Sequence, residues 1–160
     1  MKRSVYIETS VVSYLTARPS TNALVASCQQ ITAEWWSRQH GKFELFTSEL
    51  VNVEAGMGDP ILAAARLQIL TRLPVLRLTD PAVSLANVLI RKRALPDQAQ
   101  ADALHIAIAT IHQIQYLATW DCRHINNPAI KPAIRTICRQ EGFICPEFCT
   151  PLELREAGKL

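Results

Sequence analysis

No apolar stretch in this 160-residue chain approaches the roughly 20 residues that a membrane span requires. The first apolar run, Ser4-Val5-Tyr6-Ile7, meets an acid at Glu8, too soon for the apolar segment of a signal peptide. Internal repeats, low-complexity tracts and linkers are missing as well, so one domain over residues 1–160 is expected. Charge is also in short supply. Charged residues make up 19% of the chain and the net charge is only +3. That suits a phosphate-bearing partner but is far below the density of a protein that binds nucleic acid by charge alone. The five cysteines, Cys28, Cys122, Cys138, Cys145 and Cys149, are odd in number and match no strong zinc spacing, even with His124 added. Free thiols in a reducing compartment explain them best, and a cytoplasmic location follows as the expectation. What remains is ordinary globular material, 49% hydrophobic and long enough to bury a sizeable core.

Short β-rich runs alternate with longer helical patterns, the signature of βα units around a parallel sheet. The pattern predicts strands at Ser4–Ile7, Glu44–Thr47, Val75–Leu78, Tyr116–Thr119 and Phe143–Cys145. A helix is predicted from Thr21 to His40, with an apolar stripe at Leu24, Cys28, Ile31 and Trp35 and a stop at Gly41. Asp59-Pro60 and Asp80-Pro81 each place an N-cap before a proline at the first helical position. Asp97-x-x-Gln100 and Thr150-x-x-Glu153 have capping-box spacing.

Four acids do not fit this pattern. Glu8 ends the first strand, Glu54 lies in Leu50-Val51-Asn52-Val53-Glu54-Ala55, and Asp121 follows the strand-like Tyr116-Leu117-Ala118-Thr119 by two residues. Asp102 interrupts the most apolar helix of the chain, with alanine and isoleucine around it on every helical face. An unpaired carboxylate in such surroundings costs about 1–3 kcal/mol even when it protonates or finds a hydrogen bond. Ligands of open α/β sheets bind beyond the carboxyl ends of the strands, and Glu8, Glu54 and Asp121 fall there naturally. A divalent cation shared by the four resolves the cost. Other acids have plainer explanations: Glu49 meets a helix dipole, and Asp59, Asp80 and Asp97 are caps. Glu8 and Asp121 would also serve as cap or turn residues.

With their surroundings, the four positions resemble the PIN-domain family of metal-dependent nucleases. The match runs through Val5-Tyr6-Ile7-Glu8-Thr9-Ser10-Val11-Val12-Ser13-Tyr14-Leu15 and Thr47-Ser48-Glu49-Leu50-Val51-Asn52-Val53-Glu54. It continues through Ala101-Asp102-Ala103-Leu104-His105-Ile106-Ala107, Leu117-Ala118-Thr119-Trp120-Asp121 and Thr150-Pro151-Leu152-Glu153-Leu154. Within the family the chain is most similar to VapC-type toxins of toxin–antitoxin pairs. The resemblance implies a three-layer α/β/α sandwich with a parallel sheet of four to five strands. It implies magnesium or manganese, an RNA substrate cut to 5′-phosphate and 3′-hydroxyl ends, a cognate antitoxin and a homodimer. The first acid of the family is usually aspartate; here it is Glu8, whose extra methylene moves the carboxylate by about 1.5 Å.

On this reading Glu8, Asp102 and Asp121 are the metal ligands and Glu54 completes the catalytic set, since a hard cation held by carboxylates acidifies water and neutralises phosphoryl oxygens. Thr9 and Ser10 suit either the substrate phosphate and Glu8 or the N-cap of the next helix. Arg123 and His124 suit the RNA backbone, and Trp120 a stacked base, against solvent charge and core packing as the plainer roles. His105 is expected as a hydrogen-bonded core histidine rather than a general base. Arg91-Lys92-Arg93 complements a helix C-terminus. The competing functions are a PIN-like module without activity that binds RNA or protein, and a phosphoacceptor-like regulator. The latter lacks a strand-end aspartate with a suitably placed lysine.

Overall fold

A computed structural model describes residues 1–157. In chain order these form β1 (Arg3–Ile7), α1 (Thr9–Thr16), α2 (Ala23–Gln39), β2 (Phe43–Ser48), α3 (Glu49–Ala55), α4 (Pro60–Leu70) and β3 (Val75–Leu76). Then follow α5 (Asp80–Arg91), α6 (Gln100–Ile111), β4 (Tyr116–Ala118), α7 (Lys131–Gln140), β5 (Glu147–Cys149) and α8 (Pro151–Ala157). The strands make one sheet in the order β3-β2-β1-β4-β5, and every pairing is parallel.

Side chains alternate across a strand, and the two faces of this sheet bury different clusters. Tyr6, Leu117 and Phe148 stand in register across β1, β4 and β5. They point into a core built with Leu85 and Leu89 of α5, Ile106 of α6 and Ile134 of α7. The next row, Ile7, Ala118 and Cys149, points the other way, against Val11 of α1, Trp35 of α2 and Leu154 of α8. This is the α/β/α layering expected.

The strand positions hold at β1, β2 and β4, and β3 stops two residues short, at Leu76. The fifth strand is corrected: it is Glu147–Cys149, not Phe143–Cys145. Phe143 and Cys145 instead pack against the core while the chain turns out of α7, and the Phe143 N–H bonds the Cys138 carbonyl at 2.8 Å. Pro146 has no N–H for a ladder, and pairing begins just after it.

Helix ends were read correctly where a side chain caps unaided. Asp59 accepts from the N–H groups of Ile61 and Leu62. Thr150 and Glu153 close a reciprocal box, Glu153 N–H to Thr150 Oγ1 at 3.3 Å and Thr150 N–H to Glu153 Oε1 at 3.0 Å. Two caps are corrected. Thr79 rather than Asp80 caps α5, its hydroxyl accepting from Ala82, and Asp80 is an acid of the first turn. Exposed Asp97 caps nothing: α6 starts after Ala99, with no side-chain cap bond. Helix α2 runs from Ala23 and gives way to a 3-10 turn at His40–Lys42, so Gly41 lies inside that turn. Its stripe is only partly buried. Trp35 is wholly covered, but Leu24 is 75% exposed because the first turns of α2 reach beyond the packed layer.

Candidate active site

The parallel sheet brings the four acids to one edge. Glu8 follows β1 directly, and Glu54 lies in the second turn of α3, which leaves β2 at Ser48. Asp121 comes three residues after β4. Asp102 is in the first turn of α6, and because α6 runs back before β4, that turn sits at the carboxyl ends of the strands. They gather as two neighbouring groups, Glu8–Glu54–His105 and Asp102–Asp121–His124. In each group one ligand atom from every residue lies within 4.8 Å of the others.

In the first group Glu8 is the N-cap of α1, a role the sequence offered equally to Thr9 and Ser10. Its Oε2 accepts from the Ser10 N–H at 3.1 Å, from the Ser10 hydroxyl and from the Thr119 hydroxyl at 2.8 Å. Only 8% of Glu8 is exposed, so these bonds meet its need for partners. Glu54 Oε1 accepts from the Thr9 hydroxyl at 2.6 Å and contacts His105 Nε2 at 2.6 Å. Behind His105 a buried chain continues: Nδ1 to the Tyr6 hydroxyl at 2.7 Å, and Tyr6 to Ser48 Oγ at 2.7 Å. Burial opposes charge on His105, yet its bond to Glu54 and the charges of Glu8, Glu54 and Asp102 outweigh it and hold the imidazole above its usual range. Burial likewise pushes Glu54 up. The His105 bond and charge, with the Thr9 hydroxyl, prevail and hold it below the usual carboxylate range. His105 is thus the hydrogen-bonded core histidine expected, and it lies against the acids.

In the second group His124 Nδ1 contacts Asp102 Oδ2 at 2.8 Å. Asp121 organises the loop after β4: Oδ1 accepts from the N–H groups of Arg123 at 3.0 Å and His124 at 3.2 Å. The Asp121 N–H in turn donates to Thr119 Oγ1 at 2.9 Å. Burial raises Asp102 above the usual carboxylate range; His124 pulls it down and the charge of Asp121 pushes it up again.

The expectations for the surrounding residues divide. Thr9 and Ser10 are spent on Glu54 and Glu8, and His124 on Asp102, while Arg123 is exposed at the rim. Trp120 is held within the fold: its indole N–H donates to Thr32 Oγ1 at 2.8 Å and its ring stacks on Tyr14, centroids 6.0 Å apart. Thr119 was missed altogether, although it bridges Glu8 and Asp121. Its signal was a hydroxyl at a strand end two residues before an acid. The relay through Tyr6 and Ser48 was missed as well; a tyrosine and a serine inside apolar strand runs were its only trace.

The donors suit a hard divalent cation. Each group offers two carboxylates, the ligands magnesium and manganese prefer. The histidines bond those carboxylates as orienting partners do at metal sites. Neither group contains a cysteine.

The sequence matches no protein-family model and no curated protein. Solved structures do resemble it. Mycobacterium tuberculosis VapC20, a toxin that cleaves the sarcin–ricin loop, aligns with a TM-score of 0.59 at 17% identity, over 78% of this chain and 95% of its own. VapBC-1 of nontypeable Haemophilus influenzae aligns with a TM-score of 0.57 at 14% identity, over 92% and 98% of the two chains. VapBC2 of Rickettsia felis, bound to a DNA fragment from their promoter, gives 0.53 at 11% identity over 92% and 98%. The fold is therefore the PIN-like fold of the VapC toxins.

Proposed function

We propose that this chain is a metal-dependent endoribonuclease that hydrolyses RNA phosphodiester bonds and acts as the toxin of a toxin–antitoxin pair. The observation that carries the reading is the gathering of Glu8, Glu54, Asp102 and Asp121 into adjoining donor groups at the carboxyl edge of a parallel sheet. Sharing a fold with a toxin that cleaves the sarcin–ricin loop supports it. Glu8, Asp102 and Asp121 would hold magnesium or manganese, with Glu54 beside them. When bound, the ion supplies a Lewis acid for the phosphate and acidifies a water. The protein's own part is to orient. His124 sets Asp102, His105 and Thr9 set Glu54, and Ser10 and Thr119 set Glu8. Arg123 at the rim would meet the RNA backbone as a charged phosphate contact. An antitoxin and a second copy of the chain are the proposed protein partners. Apolar Val53, Met57 and Ile61, exposed along α3 and the start of α4, suit a protein surface. Among the described residues no helix is long and apolar enough to cross a membrane.

The second reading, a PIN-like module without activity, draws on one fact: Glu8 and Asp121 both have structural work, as a cap and as a turn organiser. The test is cleavage of single-stranded RNA by the purified protein. Magnesium or manganese should be required, and Asp102→Asn should leave less than about 1% of the rate, as loss of a metal ligand would. Equal cleavage in excess chelator, or by the folded variant, would refute the enzyme.

A further inference from the structure

A pocket of about 490 Å³ lies between two loops that lead to the acids. One loop, 92–99, joins α5 to α6, and the first turn of α6 carries Asp102. The other, 119–130, carries Asp121 and ends at Ile130, just before α7. Arg93, Leu95, Pro96, Asp97 and Ile130 are among the residues that line the pocket. Arg93 stands where α5 closes: its N–H bonds the Ile90 carbonyl at 2.9 Å, and the Ala94 N–H bonds the Leu89 carbonyl at 3.0 Å. Its φ of +58° is the left-handed conformation that favours glycine, so an arginine is held there against its backbone preference. Arg93 and Asp97 are both exposed, and among the described residues neither side chain has a hydrogen-bond or ion-pair partner. A strained cation and an acid that caps nothing thus share one pocket without pairing with each other.

We propose that this pocket takes a guanine base of the RNA strand, flanking the bond that is cut, with Asp97 and Arg93 as the groups that select it. The inference rests on the nuclease reading of the neighbouring acids and adds a sequence preference to it.

The chemistry of the lining narrows the occupant. An ionised carboxylate only accepts hydrogen bonds, and a guanidinium only donates them. Asp97 repels a bare phosphate, so Arg93 is not there for the RNA backbone alone. The occupant must bring donors on one edge and acceptors on another. Adenine, cytosine and uracil each offer a carboxylate a single donor group. Guanine offers two adjacent ones, N1–H and the N2 amino group, which match the two oxygens of Asp97. Its O6 and N7 match the guanidinium fork of Arg93. Buried Leu95, with half-buried Pro96 and Ile130, supplies apolar surface for the faces of a base turned out of its strand.

The experiment measures binding of fluorescent RNA strands to the full chain by anisotropy, in chelator, so that no cleavage is needed. A single guanosine is walked through a short uridine strand. At one position it should tighten binding about tenfold over uridine, as a bidentate base contact does. Inosine, which lacks the N2 amino group, should lose most of that gain. Asp97→Asn and Arg93→Gly should each abolish the guanosine preference and leave binding of the plain uridine strand within about twofold, as loss of a base contact rather than of a backbone contact requires. Arg93→Gly should keep or raise Tm, because glycine adopts this conformation freely. Free guanosine monophosphate should displace the strand only at far higher concentration than the strand itself. Equal binding of guanosine and uridine strands at every position, a preference that survives Asp97→Asn, or displacement by the free nucleotide at the strand's own concentration would overturn the assignment. The two readings fail separately: magnesium-dependent cleavage without guanosine preference sinks the pocket alone, and an Asp97-dependent preference without cleavage sinks the nuclease alone.

Discussion

Removing one hydroxyl at Tyr6 should loosen the support behind Glu54. Tyr6 is completely buried, and its oxygen lies 2.7 Å from both Ser48 Oγ and His105 Nδ1. Tyr6→Phe keeps the ring against Leu117 and Phe148 but leaves two polar atoms facing a phenyl edge. Ser48 retains its N-cap bond from Val51 N–H at 3.1 Å, so its loss is partial. His105 Nδ1 has no such reserve, because the ring's other nitrogen is already on Glu54. One orphaned buried group costs about 1–3 kcal/mol. A value near 2 kcal/mol corresponds to a fall in Tm of roughly 4–8 °C at this chain length. The assay is urea denaturation of wild type, Tyr6→Phe, Ser48→Ala and the double variant. The double variant should be less destabilised than the two singles together by at least about 0.5 kcal/mol, since residues of one hydrogen-bond network couple. A Tyr6→Phe cost below about 0.5 kcal/mol, or strict additivity, would refute the relay.

Stability in chelator should peak between roughly pH 4.5 and 6.5. The depressed Glu54 contributes stability above its unfolded value near 4.3, lost as pH falls through its lower folded value. The raised His105 contributes stability below about 6.5, lost as pH rises through its higher folded value, and the raised Asp102 works against folding once ionised. Denaturation midpoints from pH 3 to 9 check this, and His105→Gln should flatten the alkaline side; a steeper alkaline slope in that variant would contradict the sign. Glu8→Asp retracts the carboxylate by about 1.5 Å. Aspartate is a good N-cap and should keep the Ser10 N–H bond while losing that from buried Thr119, so fold stability should fall by about 1–3 kcal/mol. Magnesium affinity, by titration calorimetry, should fall; a tighter ion with faster RNA cleavage would mean Glu8 is a decayed aspartate.

The order of strands and helices could be read from the chain because hydrophobic period and turn chemistry are local. Caps such as Asp59 and Thr150 satisfy N–H groups two or three residues away, within reach of inspection. Phe143–Cys145 misled for the same reason: an apolar triplet reads as a strand, whereas its burial comes from the turn that closes α7. The four acids stood out because each breaks an apolar pattern, and their order along the chain resembles that of a known family. Their hydrogen-bond partners did not, because these contacts join distant residues. His105 meets Glu54 across 51 positions and Thr119 meets Glu8 across 111. His105 did leave a trace, one turn from Asp102 in an otherwise apolar helix.

The central strand fixes when during synthesis this edge of the molecule can exist. Of the five strands β1 leaves the ribosome before the others, yet one of its two neighbours is β4, and the Glu8 carboxylate accepts from the Thr119 hydroxyl. At an elongation rate of about 5–20 residues per second, the amino-terminal strand waits for several seconds with one flank unpaired. Such distant pairing is the slow part of folding and the part most open to wrong partners. Asp102 and Asp121 emerge late in the same interval. A nascent chain stalled before residue 119 would carry Glu8 and Glu54 without the loop that completes their surroundings.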